Sequence, residues 1–244
     1  MIKKIFLFLI LFLSLFSSHS FGELSFVQTK DVTNDTPGVR GINFKPDGKI
    51  MYITSRLGNE NAFVVQYSLS TPFDISTATR SFSDGDGTQL TCSTNMKLPH
   101  AIEFKPDGTK MFVATNKDFS GNPGVAIFQF KLTTAWDSST LVCEKIYEVT
   151  EIGVFVENQL RTLAFKPDGT KMFVGGKTTD KIRQFDLSNA WDLSSGVTPG
   201  EISDSLASAD GTMRNIQFNS DGTALYIAGD GNARMNKYTL STAY

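Results

Sequence analysis

The sequence predicts an all-β fold built from four copies of one four-stranded unit, and three observations support this. A motif of the form Phe-x-x-Asp-Gly recurs at spacings of 60, 61 and 53 residues. Apolar and polar residues alternate around each copy, as in strands with one buried face. No segment after the first 22 residues shows sustained helical periodicity. Four strands in a repeat of about 40 to 60 residues are typical of a β-propeller blade, so we expect a four-bladed propeller of four-stranded antiparallel blades.

Each repeat is centred on a phenylalanine that begins a tight hairpin. Three copies read Phe-Lys-Pro-Asp-Gly and the fourth reads Phe-Asn-Ser-Asp-Gly. Proline fixes φ, aspartate bonds to its own backbone and glycine accepts a positive φ, so the motif predicts a turn between strands a and b. The four repeat phenylalanines are Phe44, Phe104, Phe165 and Phe218.

The rest of each repeat is equally regular. A short apolar strand b is followed by an aromatic-x-Leu strand c and by a turn rich in serine and threonine. That turn ends in an aromatic residue, which we interpret as a packing contact; for Trp136 and Trp191, stacking on a sugar is the alternative. The aromatic residues in this position are Phe73, Trp136, Trp191 and Tyr244.

These repeats resemble those of bacterial TolB-type and YVTN (lactonase-like) β-propellers. The resemblance covers all four units and implies the fold, but many activities share it. Lactonase-like propellers line their funnel with acidic or histidine side chains, often around a divalent metal. The matching positions here are mostly arginines, which would repel a metal cation.

Residues 1–22 have the pattern of a secretory signal peptide. Lys3 and Lys4 precede a twelve-residue run, Ile5–Phe16, and Ser20 and Gly22 suit a cleavage before Glu23. The run is shorter than the roughly 20 apolar residues that span a membrane, so we expect no stable insertion after removal. The predicted product is one domain, residues 23–244, exported to the periplasm or outside the cell.

Charge and composition exclude several kinds of partner and site. The predicted mature chain has 21 basic and 25 acidic residues, so we expect no nucleic-acid binding. No nucleophile elbow, zinc motif or phosphate loop occurs, and we expect no catalytic residue, metal or cofactor. The acidic, glycine-rich segments 84–87 and 230–232 are explained more simply as turns than as calcium sites.

The two cysteines, Cys92 and Cys143, leave two alternatives. Their spacing matches no metal or redox motif. Export would permit a disulfide between them, and the alternative is a pair of buried thiols.

The ends of the chain suggest how the blades close into a ring. The fourth unit supplies strands a, b and c, and the strand-like segment 24–29 precedes the first strand a. We expect this segment to complete the last blade, which would remove an exposed edge. The alternatives are a half-ring closed by dimerisation, or a truncated product; we expect a monomer, with a dimer as the alternative.

The differences between repeats are concentrated on one face of the predicted propeller. The a–b turns are nearly constant, whereas the b–c and d–a loops vary, and loops on a rigid scaffold commonly carry function. On that face, four residues before each repeat phenylalanine, stands a basic residue that should lie near the central channel. The four are Arg40, His100, Arg161 and Arg214.

These basic residues suggest either a ligand site or structural ion pairs. Arginine grips carboxylate, phosphate or sulfate, so one hypothesis is an anion-binding funnel. The other is structural pairing, either with a carboxylate of a neighbouring blade, such as Glu157, Asp180 or Asp210, or with backbone carbonyls. The sequence therefore predicts an exported module that binds a protein or a small anion; a funnel-site hydrolase and a structural envelope or particle-surface protein are the alternatives.

Overall fold

The structure is a computed structural model in which strands account for most of the described chain. Two 3₁₀ turns, Ile75–Thr77 and Ser138–Thr140, are its helical elements among the described residues. The signal-peptide prediction and the segments 84–86 and 230–232 lie outside those residues. The structure describes residues 26–36, 38–57, 61–82, 87–92, 96–117, 125–149, 157, 159–206, 212–229, 235–241 and 243–244.

The described strands fall into four antiparallel sheets, one for each repeat. The predicted all-β, four-bladed propeller is therefore confirmed. In chain order the strands are β1 (Val39–Phe44), β2 (Ile50–Leu57), β3 (Asn61–Leu69), β4 (Ala78–Arg80), β5 (Thr88–Gln89), β6 (Lys97–Phe104), β7 (Lys110–Lys117), β8 (Ala126–Leu132), β9 (Leu141–Glu148), β10 (Leu160–Phe165), β11 (Lys171–Gly176), β12 (Ile182–Asn189), β13 (Asp192–Ile202), β14 (Met213–Phe218), β15 (Ala224–Gly229) and β16 (Met235–Thr239).

The order of strands within each sheet follows the chain. The second and third blades are β6-β7-β8-β9 and β10-β11-β12-β13. The first blade is β1-β2-β3-β4, and the short β5 pairs with the other half of β3. The described part of the fourth blade has three strands, β14-β15-β16.

The repeated turn forms the predicted hairpin. In the first copy, Gly48 has a φ of 70° and donates its N–H to the carbonyl of Lys45 at 2.8 Å. The carboxylate of Asp47 accepts a hydrogen bond from the N–H of Lys49 at 3.0 Å. A positive φ is a conformation that glycine adopts without steric cost, which explains its place in the motif.

Aromatic pairs join each of the first three blades to the next. The strand-b aromatic of one blade meets the repeat phenylalanine of the following blade at 4.4 to 4.6 Å between ring centroids. The turn aromatics pack beside them, with Trp136 stacked on Phe104 and Trp191 on Phe165. Their interpretation as packing contacts is confirmed. The pairs between blades are Tyr52 with Phe104, Phe112 with Phe165, and Phe173 with Phe218.

The N-terminal segment lies on the first blade, which corrects the closure expectation for the described residues. Residues 26–30 form no strand, and a turn follows in which Asp35 and Thr36 both donate N–H bonds to the carbonyl of Val32. Val32 packs on the apolar cluster of the first blade, and Asp35 accepts a bond from the hydroxyl of Tyr67 at 2.9 Å. The turn and these contacts hold the segment there instead of beside β16.

A disulfide joins Cys92 to Cys143, which resolves the two alternatives for these cysteines. Cys92 follows β5 of the first blade, and Cys143 lies in β9 of the second. The bond therefore crosses from one blade to its neighbour.

Candidate central cavity

The four basic residues of the predicted column line one cavity. It has a volume of about 230 Å³ and is formed by the inner strands β1, β6, β10 and β14. His100 and Arg161 are buried, whereas Arg40 and Arg214 are exposed. The structure thus brings together all four side chains that the sequence placed near the channel.

A β-bulge positions each of these residues. Between the paired residues Val39 and Gly41, the register of β1 shifts and Arg40 is left without a partner on β2. The same shift occurs at each of the other three basic residues, between Pro99 and Ile102, Leu160 and Thr162, and Met213 and Asn215. Because a bulge inserts an extra residue and re-aims its side chain, it turns the basic group out of the regular alternation.

Close packing of backbone supports the first two bulges. The hydroxyl of Thr54 accepts a bond from the N–H of Gly41 at 2.8 Å and donates one to the carbonyl of His100 at 3.2 Å. A Cβ atom at Gly41 would collide with that same carbonyl oxygen. Glycine is therefore required where β1 approaches β6.

Arg161 has unsatisfied hydrogen-bonding capacity. Its side chain is only 9 % exposed, and its Nη2 donates to the amide oxygen of Gln159 at 3.0 Å. Its Nε and Nη1 are buried and have no hydrogen-bond partner among the described residues. Buried donors of this kind are uncommon in proteins and point to a missing acceptor.

The predicted alternative, in which Glu157 pairs with an arginine, is wrong. The Glu157 carboxylate instead accepts backbone N–H bonds from Gln159 at 2.8 Å, Thr178 at 3.0 Å and Thr179 at 3.1 Å. It thereby holds the loop between β11 and β12. Asp210, another of the three proposed partners, lies outside the described residues.

The basic groups are close enough to affect one another. Burial, together with the charges of Arg56 and Arg214, lowers the pKa of Arg40 from its usual value. Like charges held together in this way favour an anion between them.

Glu103 is a cavity residue that the sequence reasoning missed. It lies in β6, lines the cavity and receives a hydrogen bond from the Nδ2 of Asn43 at 3.3 Å. Burial raises its pKa to about 8, although the bond from Asn43 lowers it. The sequence does contain a signal for it. Glu103 stands directly before a repeat phenylalanine, and the residues in the same position of the other repeats, Asn43, Ala164 and Gln217, are uncharged.

Two further properties of the described residues bear on the site. No group of three or more His, Cys, Asp or Glu side chains in the described part of the chain is placed to hold a metal ion. Within the same residues, no helix is long and apolar enough to cross a membrane.

Comparison with known proteins supports the fold. No protein-family model and no curated protein matches the chain. A candidate 6-phosphogluconolactonase of Bacteroides fragilis is 17 % identical, with a TM-score of 0.52, and the match covers 84 % of this chain and 54 % of that one. A candidate 6-phosphogluconolactonase of Bacteroides uniformis is 15 % identical, with a TM-score of 0.51, and the match covers 82 % and 50 %.

The chain spans about half the length of these two structures. The predicted resemblance to lactonase-like propellers is confirmed at the level of the fold. Identities this low indicate shared architecture, and function has to be argued from the site.

Proposed function

We propose that this protein is an exported β-propeller binding module whose central cavity holds a small anion. The observation that carries the proposal is Arg161, a buried guanidinium at the cavity wall with two nitrogens that lack an acceptor among the described residues. A bound carboxylate, sulfate or phosphate would supply that acceptor, because such oxyanions match the planar donor pattern of arginine.

The surrounding charges support the same function. Arg40, His100 and Arg214 reach the cavity from three other blades, each from a bulge. Burial, and then repulsion from Arg56 and Arg214, lowers the pKa of Arg40, and an anion between the basic groups would relieve that repulsion. Export follows from the predicted signal peptide and is part of the proposal.

Anion binding can be tested with inorganic sulfate and phosphate by calorimetry and thermal unfolding. At a hundredfold excess over Kd, we expect an anion to raise the Tm of the parent protein by about 5 to 10 °C. Arg161→Gln should weaken binding at least about tenfold, because a charged bidentate partner is lost. If neither anion shifts the parent protein's Tm or releases heat, the proposal is overturned.

Arg183→Gln is the matched control. Arg183 is also buried and its Nε also lacks a partner in the described chain, but it lies over the ring of Phe185, outside the cavity lining. The control should lower stability without changing anion affinity. Equal losses of affinity in both variants would indicate a general effect of removing buried arginines.

A lactonase-like hydrolase is the second candidate, and Glu103 is the observation that favours it. Its carboxyl shares the cavity with His100, and burial raises its pKa to about 8, into the range of a general acid. The matched Bacteroides propellers are named as candidate 6-phosphogluconolactonases, so a sugar lactone is the substrate to test. Turnover that Glu103→Gln abolishes would favour this candidate; absence of turnover in the parent protein would leave the binding function.

The third role considered was that of a structural envelope or particle-surface protein, and such a role requires no ligand pocket. The cavity lined by polar and basic residues gives that role no support.

A further inference from the structure

Glu103 is the acidic side chain among the described residues that line the basic cavity. Its Oε2 accepts the bond from Asn43, whose Nδ2 also donates to the carbonyl of Ile102 at 3.2 Å. Asn43 is the only hydrogen-bond partner of the Glu103 carboxyl among the described residues, so its Oε1 has none. One carboxyl oxygen is therefore available to a ligand in the cavity.

The four basic groups come from the four inner strands that line the cavity around Glu103. β1 supplies Arg40, β6 supplies His100, β10 supplies Arg161 and β14 supplies Arg214. The amides of Asn43, Asn215 and Gln217 complete the polar lining. An anion held by the basic groups would thus share the cavity with a carboxyl group.

We propose that Glu103, once ionised, determines which anion this cavity accepts: it admits an anion that can donate a proton to its carboxylate and rejects an anion that cannot. This inference rests on the proposed anion-binding function. A neutral carboxyl donates its proton to any oxyanion, whereas an ionised carboxylate is an acceptor only. Once ionised, Glu103 would repel an anion that carries no proton and would accept a hydrogen bond from one that does.

The two states are separated by pH. Because burial raises the pKa of Glu103 to about 8, the carboxyl is mostly neutral below that value and ionised above it. The arginines keep their charge throughout this range. His100 is present in both the parent protein and Glu103→Gln, so comparing the two proteins across this range separates the effect of Glu103 from that of His100.

Sulfate and hydrogen phosphate are the discriminating probes. Above about pH 7.5 both are mainly divalent and tetrahedral, but hydrogen phosphate keeps one proton and sulfate has none. Between about pH 7.5 and pH 9.5, we expect the affinity for sulfate to fall at least about tenfold, because a negative charge appears in a partly buried site. The affinity for hydrogen phosphate should change less than about threefold, since its P–OH group can donate to the carboxylate.

Glu103→Gln should remove the difference, so that both anions bind with little dependence on pH. Glu148→Gln, which alters an exposed residue of β9, should behave like the parent protein. Parallel pH profiles for the two anions in the parent protein would overturn the inference. If both anions bind but their affinities depend on pH in the same way, only the role of Glu103 is contradicted. If neither anion binds at about pH 7.5, the proposed anion-binding function is contradicted, so the two failures are distinguishable.

Discussion

The amide oxygen of Gln129 in the second blade accepts a hydrogen bond from the backbone N–H of Leu193 in the third blade at 2.6 Å. The preceding junction repeats this contact, with Gln66 accepting from the N–H of Ser138 at 2.9 Å. In each case a strand-c glutamine satisfies the turn that begins strand d of the next blade. The side chain of Gln184, the equivalent residue in the third blade, donates instead to Asp186 of its own strand at 3.3 Å.

The Gln129 contact should contribute measurably to stability. Gln129→Met would keep most of the side-chain volume but leave the buried N–H of Leu193 without its acceptor. We expect the free energy of unfolding to fall by about 1 to 3 kcal/mol. Gln184→Met is the control, because its described bond stays within one strand, and denaturant unfolding compares the two. Equal losses would show that the contact between blades adds nothing.

Gly41→Ala should disturb both stability and the cavity. The new methyl group would meet the carbonyl oxygen of His100 and the hydroxyl of Thr54, so β6 must move. We expect a loss of about 1 to 3 kcal/mol, as for other overpacked sites, together with weaker sulfate binding. Gly38→Ala is the control, because a Cβ atom there meets nothing within 4 Å. Thermal unfolding and calorimetry of both variants check this, and unchanged sulfate affinity in Gly41→Ala would contradict it.

Reduction of the disulfide should destabilise the protein. The bond closes a loop between residues 51 positions apart, and cross-links of this kind typically contribute about 2 to 4 kcal/mol. Unfolding in urea with and without a phosphine reductant measures the loss. A variant with both Cys92→Ala and Cys143→Ala should be insensitive to reductant, and a parent protein equally insensitive would contradict the prediction.

The half-buried carboxyl of Glu103 predicts how stability depends on pH. Its pKa is raised from 4.5 to about 8 in the folded protein, so the folded state holds a proton that the unfolded state releases between those values. Stability from this group is fully present below about pH 4.5 and is lost as the pH rises to about 8. Denaturant unfolding across this range should show a steeper decline for the parent protein than for Glu103→Gln. Identical profiles would contradict the assignment.

The turn aspartates do not obscure that comparison. Hydrogen bonds from Lys166 and Thr170 lower the pKa of Asp168 to about 2. A lowered pKa contributes stability that is lost only at acid pH, so this contribution is constant above about pH 5.

Local patterns in the sequence predicted the repeated features of the fold. The Asp-Gly turn residues specify the hairpin directly, because their backbone preferences act over four or five residues. The aromatic column was also informative, since Tyr244 packs edge-to-face against Phe218 and Trp191 stacks on Phe165. Both signals are repeated in each blade, which makes each copy evidence for the others.

Features that occur once, or that depend on neighbouring blades, could not be predicted in this way. Cys92 and Cys143 occupy different positions in their repeats, so their proximity depends on how two blades pack. The unusual pKa of Glu103 arises from burial, which a sequence column does not reveal. The N-terminal segment was expected to be the missing strand because it precedes the first strand a and the fourth unit lacks a strand d, but its turn at residues 33–35 holds it on the first blade.

The bulges of the inner strands also bear on how such a protein can diversify. Arg40, Arg161 and Arg214 lie outside the regular pairing of their strands. A substitution at one of these positions would change the cavity while leaving the ladder, the hairpin and the aromatic contacts between blades intact. Selection could therefore exchange the recognition chemistry of this scaffold one blade at a time, with little penalty in foldability.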